Sequence, residues 1–447
     1  MTRRVERLER SFATDLERAV FKTPLCDTHE HLQYENAWIE EKADVLSDLL
    51  NNYVPADLLT AGASQKAVER ALDPKDPDIA GRLAGVLPAL ERSRYTGYGE
   101  TVYLCARHVY GIEELTAAAL AEAQPILEGL KQPGERLRLL RDVAGLEHVQ
   151  TDDFVWTALP DPSGKDFFFY DLSWRNFCNG EIPVEEIHKE TGIEVKDLED
   201  LDEAMEKLFE KFATCAIAVK SQHAYNRTLS WRERERADAA IALNKLLSHP
   251  DTELAEEDRL CLGDYCWAKG VEHSIRHELP FKLHTGYYVG NQHMRTERIP
   301  AGNLCPLLIK YPEARFVLMH IAYPYQEELV AIIKHFHNTV VDLCWAWSID
   351  PYSTKDFLRR ALRAAPLNQV LGFGGDTGKP TSAYAYSIQA RTWLARTLAE
   401  EVKEGALSES EAVRVAKVWM CENQREYFEL EKKRRLVAAW SGPMLEK

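Results

Sequence analysis

The segment DTHEHL places His29 and His31 two positions apart where a short apolar run ends. Side chains two positions apart in an extended chain point the same way, so these two imidazoles converge on one point. Imidazole is the commonest protein ligand for metal ions, and two of them need further ligands from elsewhere to close a coordination shell. A surface loop carrying two unrelated histidines is the plain alternative.

Three other residues decide between these readings. FKLHTGYY places His284 at the end of an apolar run, FVLMHIAYP does the same for His320, and LGFGGDTG places Asp376 just after another. Active sites of TIM barrels lie at the C-terminal ends of the strands, so the five residues would ring one pocket despite their separation in sequence. A buried histidine or a helix-capping aspartate explains each one singly. Their joint placement at strand ends points to metal-dependent chemistry. Two further pairs act as controls. His273 and His277 are one helical turn apart but precede a strand, as do His335 and His337, which puts both pairs on the face associated with stability.

Polar and aromatic residues near the same ends are candidates for substrate binding. Lys220 closes a buried run and can bind a carboxylate, bridge two metals if carbamylated, or extend to solvent at the rim. Tyr225 and Arg227 lie just beyond it. Arg227, Arg175 and Lys379 offer positive charge for an anionic substrate, or are ordinary surface residues. Tyr287, Tyr288, Tyr323, Tyr325, Trp345 and Trp347 would either wall a pocket or pack between strand and helix. Asp342 would orient a ligand histidine or cap the following loop.

Eight strands are needed to hold such a ring, and the chain has about eight short apolar runs separated by helical periodicity. They are Pro24–Asp27, Leu146–Thr151, Phe167–Asp171, Cys215–Lys220, Leu279–His284, Phe316–His320, Thr339–Leu343 and Val370–Gly375. The fold class expected is α/β, a (β/α)8 TIM barrel forming a single domain over 1–447. A helical insertion after strand 1, about 46–143, reads as a cap. Glu185–Phe212 reads as one acidic helical connection with a buried face at Leu201, Met205, Leu208 and Phe212. Ala383–Val402 and Ser408–Leu430 read as closing helices.

With 45% hydrophobic residues the chain can bury a large core, and a formal net charge of -16 argues against a nucleic-acid partner. Nine cysteines without a CxxC pair suit a reducing, cytoplasmic setting. Met1–Phe12 lacks the apolar core of a secretory signal, and no run approaches the roughly 20 residues needed to cross a bilayer. The expected partner is a small molecule, with neither nucleic acid nor membrane; self-association is left open.

DTHEHL, TVYLCARHVYGI, VKSQHAYNR, LHTGYY, HIAYPY, VVDLCW and GFGGDTGKP together resemble the amidohydrolase superfamily, in particular the branch with the glutamine-synthetase-associated FluG and nodulin-type domain. The resemblance implies that His29, His31 and Asp376 bind a first divalent ion, with His284 added in mononuclear members while His320 polarises substrate. In binuclear members His284 and His320 hold a second ion and a carbamylated lysine, here Lys220, bridges the two. Zinc is the expected metal, with manganese or iron as alternatives, one or two per chain. Asp376 and His320 are the catalytic candidates. The implied reaction is hydrolysis of an amide or related C–N bond in a carboxylate-bearing substrate. Uronate isomerases and decarboxylases of the same superfamily share the histidine and aspartate ring and stand as alternatives.

Overall fold

The computed structural model describes residues 4–8, 11–249, 253–290 and 293–445, so part of Met1–Phe12 lies outside the described residues. Among the described residues nine strands run parallel: β1 (Leu25–Glu30), β2 (Leu146–Thr151), β3 (Phe168–Tyr170), β4 (Leu172–Ser173), β5 (Val219–Ser221), β6 (Phe281–Leu283), β7 (Phe316–Met319), β8 (Thr339–Asp342) and β9 (Val370–Leu371). Only Asp171 separates β3 from β4, so these two occupy one strand position. Backbone bonds carry the sheet across that break, from Asp171 N to Thr151 O and from Leu172 N to Ala218 O. The last strand position joins the first through Thr28 N to Phe373 O at 3.1 Å and Asp376 N to His29 O at 2.9 Å. The eight strand positions therefore close on themselves, as the apolar runs predict.

Several runs are longer than the strands inside them. Cys215–Lys220 overlaps β5 only at Val219 and Lys220, because Ala216 N still bonds back to Phe212 O at the preceding helix end. Val370–Gly375 pairs as a regular ladder only at β9 before bending across to β1. The first strand departs the other way. It extends through Glu30 rather than ending at Asp27, which puts His29 inside the strand itself.

Helices fill the segment between β1 and β2 from Glu35–Glu40 onward, earlier than residue 46. This layer docks closely on the barrel: a Cβ on Gly97 would stand 2.0 Å from Ser348 O, so only glycine permits the approach. The acidic connection is helical, as expected, and consists of two helices, Val184–Thr191 and Leu198–Phe212, divided by Gly192 at φ +77. The second buries Leu201, Met205, Leu208 and Phe212 at the spacing of one helix face, and Asp197 caps its N-terminus. Ser408 and Glu411 form a capping box at the last predicted helix. Among the described residues no helix is long and apolar enough to cross a membrane.

Candidate metal centre

The strand ends of β1 and β9 bring His29, His31 and Asp376 together. Both His29 Nε2 and His31 Nε2 lie 3.2 Å from Asp376 Oδ1. One ligand atom from each of the three residues fits within a 4.8 Å cluster. Both ring nitrogens of His29 and the Oδ1 of Asp376 are buried without a hydrogen-bond partner. Buried polar atoms are almost always satisfied, so this convergence of orphaned donor atoms is the arrangement a divalent cation requires. The donor set of two imidazoles and a carboxylate fits zinc and similar ions.

A second convergence involves His284 and His320. His284 Nε2 faces Tyr287 O at 2.9 Å, and His320 Nδ1 faces Cys344 O at 2.9 Å. Carbonyl oxygens only accept, so each of those nitrogens carries the proton of a neutral ring. The remaining nitrogens, His284 Nδ1 and His320 Nε2, face each other at 3.0 Å as two lone pairs. Neither can donate to the other. A cation between or beside them resolves the repulsion, and burial, with other causes, pushes the pKa of His320 down to about 4 and that of His284 well below the ordinary value. Protonation of a ring is thus disfavoured. His320 Nε2 is also 4.0 Å from Asp376 Oδ2, which links the two groups.

Electrostatics prepare the same residues. Burial and the nearby Lys220 lower the pKa of His29, keeping its ring neutral. Burial opposes charge on His31 also, but the Asp376 carboxylate outweighs it and raises the pKa. Burial alone would raise Asp376, whereas His29 and His31 hold it well below the usual carboxylate range. Three residues that take part, His320, Trp345 and Asp376, adopt left-handed backbone with φ of 63, 62 and 58. Such conformations cost roughly 1–2 kcal/mol each for L-residues and are retained where surrounding structure over-determines them.

The carboxylate near a ligand histidine is not Asp342. Its Oδ1 accepts from Cys344 N at 2.9 Å, an attachment that turns it into the following loop. That place is taken by Asp171, whose Oδ2 lies 3.8 Å from His29 Nδ1 and whose carboxylate accepts two bonds from the buried Lys282 at 2.8 and 2.9 Å. Sequence reasoning missed this pair. Asp171 closes one apolar run and Lys282 interrupts another, which was the only available signal.

Lys220 is fully buried, with Nζ 3.4 Å from Gln222 Oε1. It does not reach solvent. Tyr225 stands beside the metal-site histidines, its ring 5.0 Å from that of His284. Trp345 packs 5.3 Å from the His320 ring, with its indole N–H buried and unpartnered. Arg175 presents a buried Nε without a partner at the start of the helix after β4. Arg227 is a correction. Its guanidinium pairs with Asp264 at 2.5 Å and donates to the carbonyls of Cys178, Thr228 and Ser230, which leaves it no role with substrate. Trp347 is another, because its indole N–H donates to Gly372 O at 3.2 Å within the core. Lys379 pairs with Glu41. His273 and His277 stack on Phe209 at 5.0 and 5.6 Å, away from the centre.

The helical layer contributes Tyr53, which sequence reasoning also missed. Its ring lies 4.2 Å from Trp345, and burial followed by the nearby Asp376 carboxylate raises its phenol pKa well above the usual value. Asn52, beside it at φ +56, accepts from Gly378 N at 2.9 Å and ties the layer to the segment after Asp376. A cleft of about 690 Å3 lined by Asn52, Tyr53, Tyr287 and Tyr288 leads away from this wall.

The family model described as Amidohydrolase matches residues 199–411. Protein fluG of Emericella nidulans is 26% identical over 167 residues, which are 36% of this chain; the match spans only 19% of that relative's length. Among solved structures, glucuronate isomerase from Caulobacter crescentus superposes with a TM-score of 0.76 at 18% identity, covering 93% of each chain. Uronate isomerase from Thermotoga maritima gives 0.74 at 16% identity, covering 92% of this chain and 96% of that one. At these identities the structural likeness establishes the fold.

Proposed function

Because the chain belongs to the amidohydrolase superfamily, we propose that it is a metal-dependent hydrolase cleaving an amide or related C–N bond in a small carboxylate-bearing molecule. The observation that carries this reading is the convergence of His29, His31 and Asp376 with buried donor atoms left unpartnered. His29, His31 and Asp376 would hold the ion, with His284 and His320 completing its shell or holding a second. Zinc suits the donor set best, with manganese or iron as alternatives. When bound, such an ion supplies Lewis acidity and lowers the pKa of water toward neutrality.

The chain's own residues do the rest. Asp376 accepts the proton of the attacking water and returns it to the leaving amine. His320, neutral and with its Nε2 lone pair directed toward the centre, would act on the substrate carbonyl only by helping to hold the ion. Tyr53 lies against Asp376 and, with Trp345 and Tyr225, excludes bulk water. Lys220 and Arg175 offer positive charge to a remote carboxylate. The nine unpaired thiols support a reducing cytoplasmic setting.

A second reading is isomerisation of a uronic acid. It is favoured by the whole-chain superposition on uronate isomerases, which takes in the helical layer as well as the barrel. Mass balance separates the two. Metal-loaded protein would be incubated with a panel of N-acyl amino acids and with hexuronates, and products weighed by mass spectrometry. Products that together gain one water support hydrolysis. A hexuronate converted to a ketose of unchanged mass, with every amide left intact, sinks the hydrolase reading in favour of the isomerase.

A further inference from the structure

A cavity of about 890 Å3 opens near the N-terminal ends of the strands, at the end of the barrel opposite the metal centre. It lies between the helix Asp15–Lys22, the turn before β2 and the helix Pro380–Lys403. Its lining contains Arg7, Lys22 and Arg391 and, among the described residues, no carboxylate. Buried guanidinium groups ordinarily have an acidic partner, because an unpaired charge in a low-dielectric site is unfavourable.

Arg391 lacks one. It is 3% exposed, and its Nη atoms donate only to the backbone carbonyls of Ser387, Gly145 and Thr23, at 3.1–3.5 Å. Its buried Nε has no partner. Burial and repulsion from Arg7 push its pKa down to about 9, so the group remains charged near neutral pH with no counter-ion among the described residues. Arg7 approaches the same place. The point where a Cβ on Gly145 would stand is 3.2 Å from Arg7 Nη2 and 3.5 Å from Arg391 Nη2. Gly145, at φ +67, thus keeps open the space between two guanidinium groups. Leu8, Phe12, Phe21 and Ile388 add apolar surface to the wall, beside the hydroxyl-bearing Ser11, Tyr384 and Ser387.

We propose that this cavity binds a small molecule carrying a phosphate dianion on an apolar body, with Arg391 and Arg7 holding the phosphate and Lys22 at the rim. Three cations match a dianion better than a single carboxylate, and guanidinium forks suit phosphate oxygens. In a chain of formal net charge -16, a cavity whose charged lining is cationic among the described residues is the exception to the surrounding field.

The test is calorimetric titration of the full, metal-loaded chain with phenyl phosphate and with inorganic phosphate at low ionic strength. Wild type would be compared with the double variant R7Q/K22Q, whose altered side chains are exposed and distant from the metal centre. Phenyl phosphate is expected to bind more tightly than inorganic phosphate, and about tenfold more weakly to the variant, with metal content unchanged. No binding up to roughly 10 mM, which is weaker than a specific site of this charge should give, overturns the proposal. So does equal affinity for both proteins, which would place the probe elsewhere. Tighter binding of inorganic phosphate overturns the assignment of an apolar body. None of these outcomes depends on the reaction at the metal centre.

Discussion

His284 Nδ1 and His320 Nε2 face each other at 3.0 Å, and the carbonyls of Tyr287 and Cys344 take the only proton each neutral ring has. Two lone pairs cannot bond to each other. Together with the unpartnered nitrogens of His29, they make the centre an incomplete electrostatic unit until a cation arrives.

Metal stoichiometry and the state of Lys220 should therefore change together. A protonated Lys220 repels a second ion, whereas a carbamate on its Nζ supplies a negative bridge. Protein purified without chelator is expected to show one ion with unmodified Lys220, or two ions with an adduct of about 44 Da, as charge balance at the bridge requires. Metal analysis and gentle intact-mass measurement on one sample check this. Two ions on an unmodified chain would refute it.

Asp171 Oδ2 stands 3.8 Å behind His29 Nδ1, close enough to bond to it once the ring settles on an ion, and Lys282 holds Asp171 in place. Asp171→Asn keeps the shape but removes the charge, and is expected to weaken metal affinity about 10–100-fold, as loss of an outer carboxylate does elsewhere. Asp171→Ala should in addition destabilise the fold by about 3–5 kcal/mol, because it leaves Lys282 buried and unpaired. Competition with a chromogenic chelator gives the first quantity and denaturant unfolding the second. Wild-type metal affinity in Asp171→Asn would remove its orienting role.

Asp376→Asn is expected to abolish turnover while retaining part of the bound metal, since an amide oxygen still ligates but takes up no proton. Tyr53→Phe keeps the ring that excludes water and loses only the hydroxyl beside Asp376, so turnover should fall by no more than about tenfold, the worth of one hydrogen bond, with full metal retained. Steady-state kinetics and metal analysis on the two variants test this pair. Turnover at the wild-type rate in Asp376→Asn would falsify the assignment of the proton acceptor.

Stability should fall on acidification through His273. Burial, with Arg276 nearby, pushes its pKa down from 6.5 to about 4 in the folded chain. Between those values the unfolded chain binds a proton that the folded chain refuses. Unfolding is favoured progressively as pH drops from 6.5 toward 4, and no such penalty exists above 6.5. His273→Phe, which preserves stacking on Phe209, is expected to shrink the loss of Tm between neutral and mildly acidic pH. An unchanged pH dependence would show that His273 does not contribute to it.

The sequence by itself located the barrel's short apolar runs and the residues near their ends, though not the strand bounds: the first run stops at Asp27 while its strand continues through Glu30. Runs leading to His29, His284, His320 and Asp376 are legible because a parallel barrel buries its strands on both faces and displays only their C-terminal residues. Cap residues such as Asp197 and Ser408 are equally local, since each acts within one helical turn. What only the tertiary structure decided are pairings across the fold. Arg227 meets Asp264, Lys282 meets Asp171, and Tyr53 reaches Asp376 from a different layer. Residue type states what a side chain can donate or accept. Which partner it finds depends on contacts between segments far apart in the chain, and no local spacing encodes them.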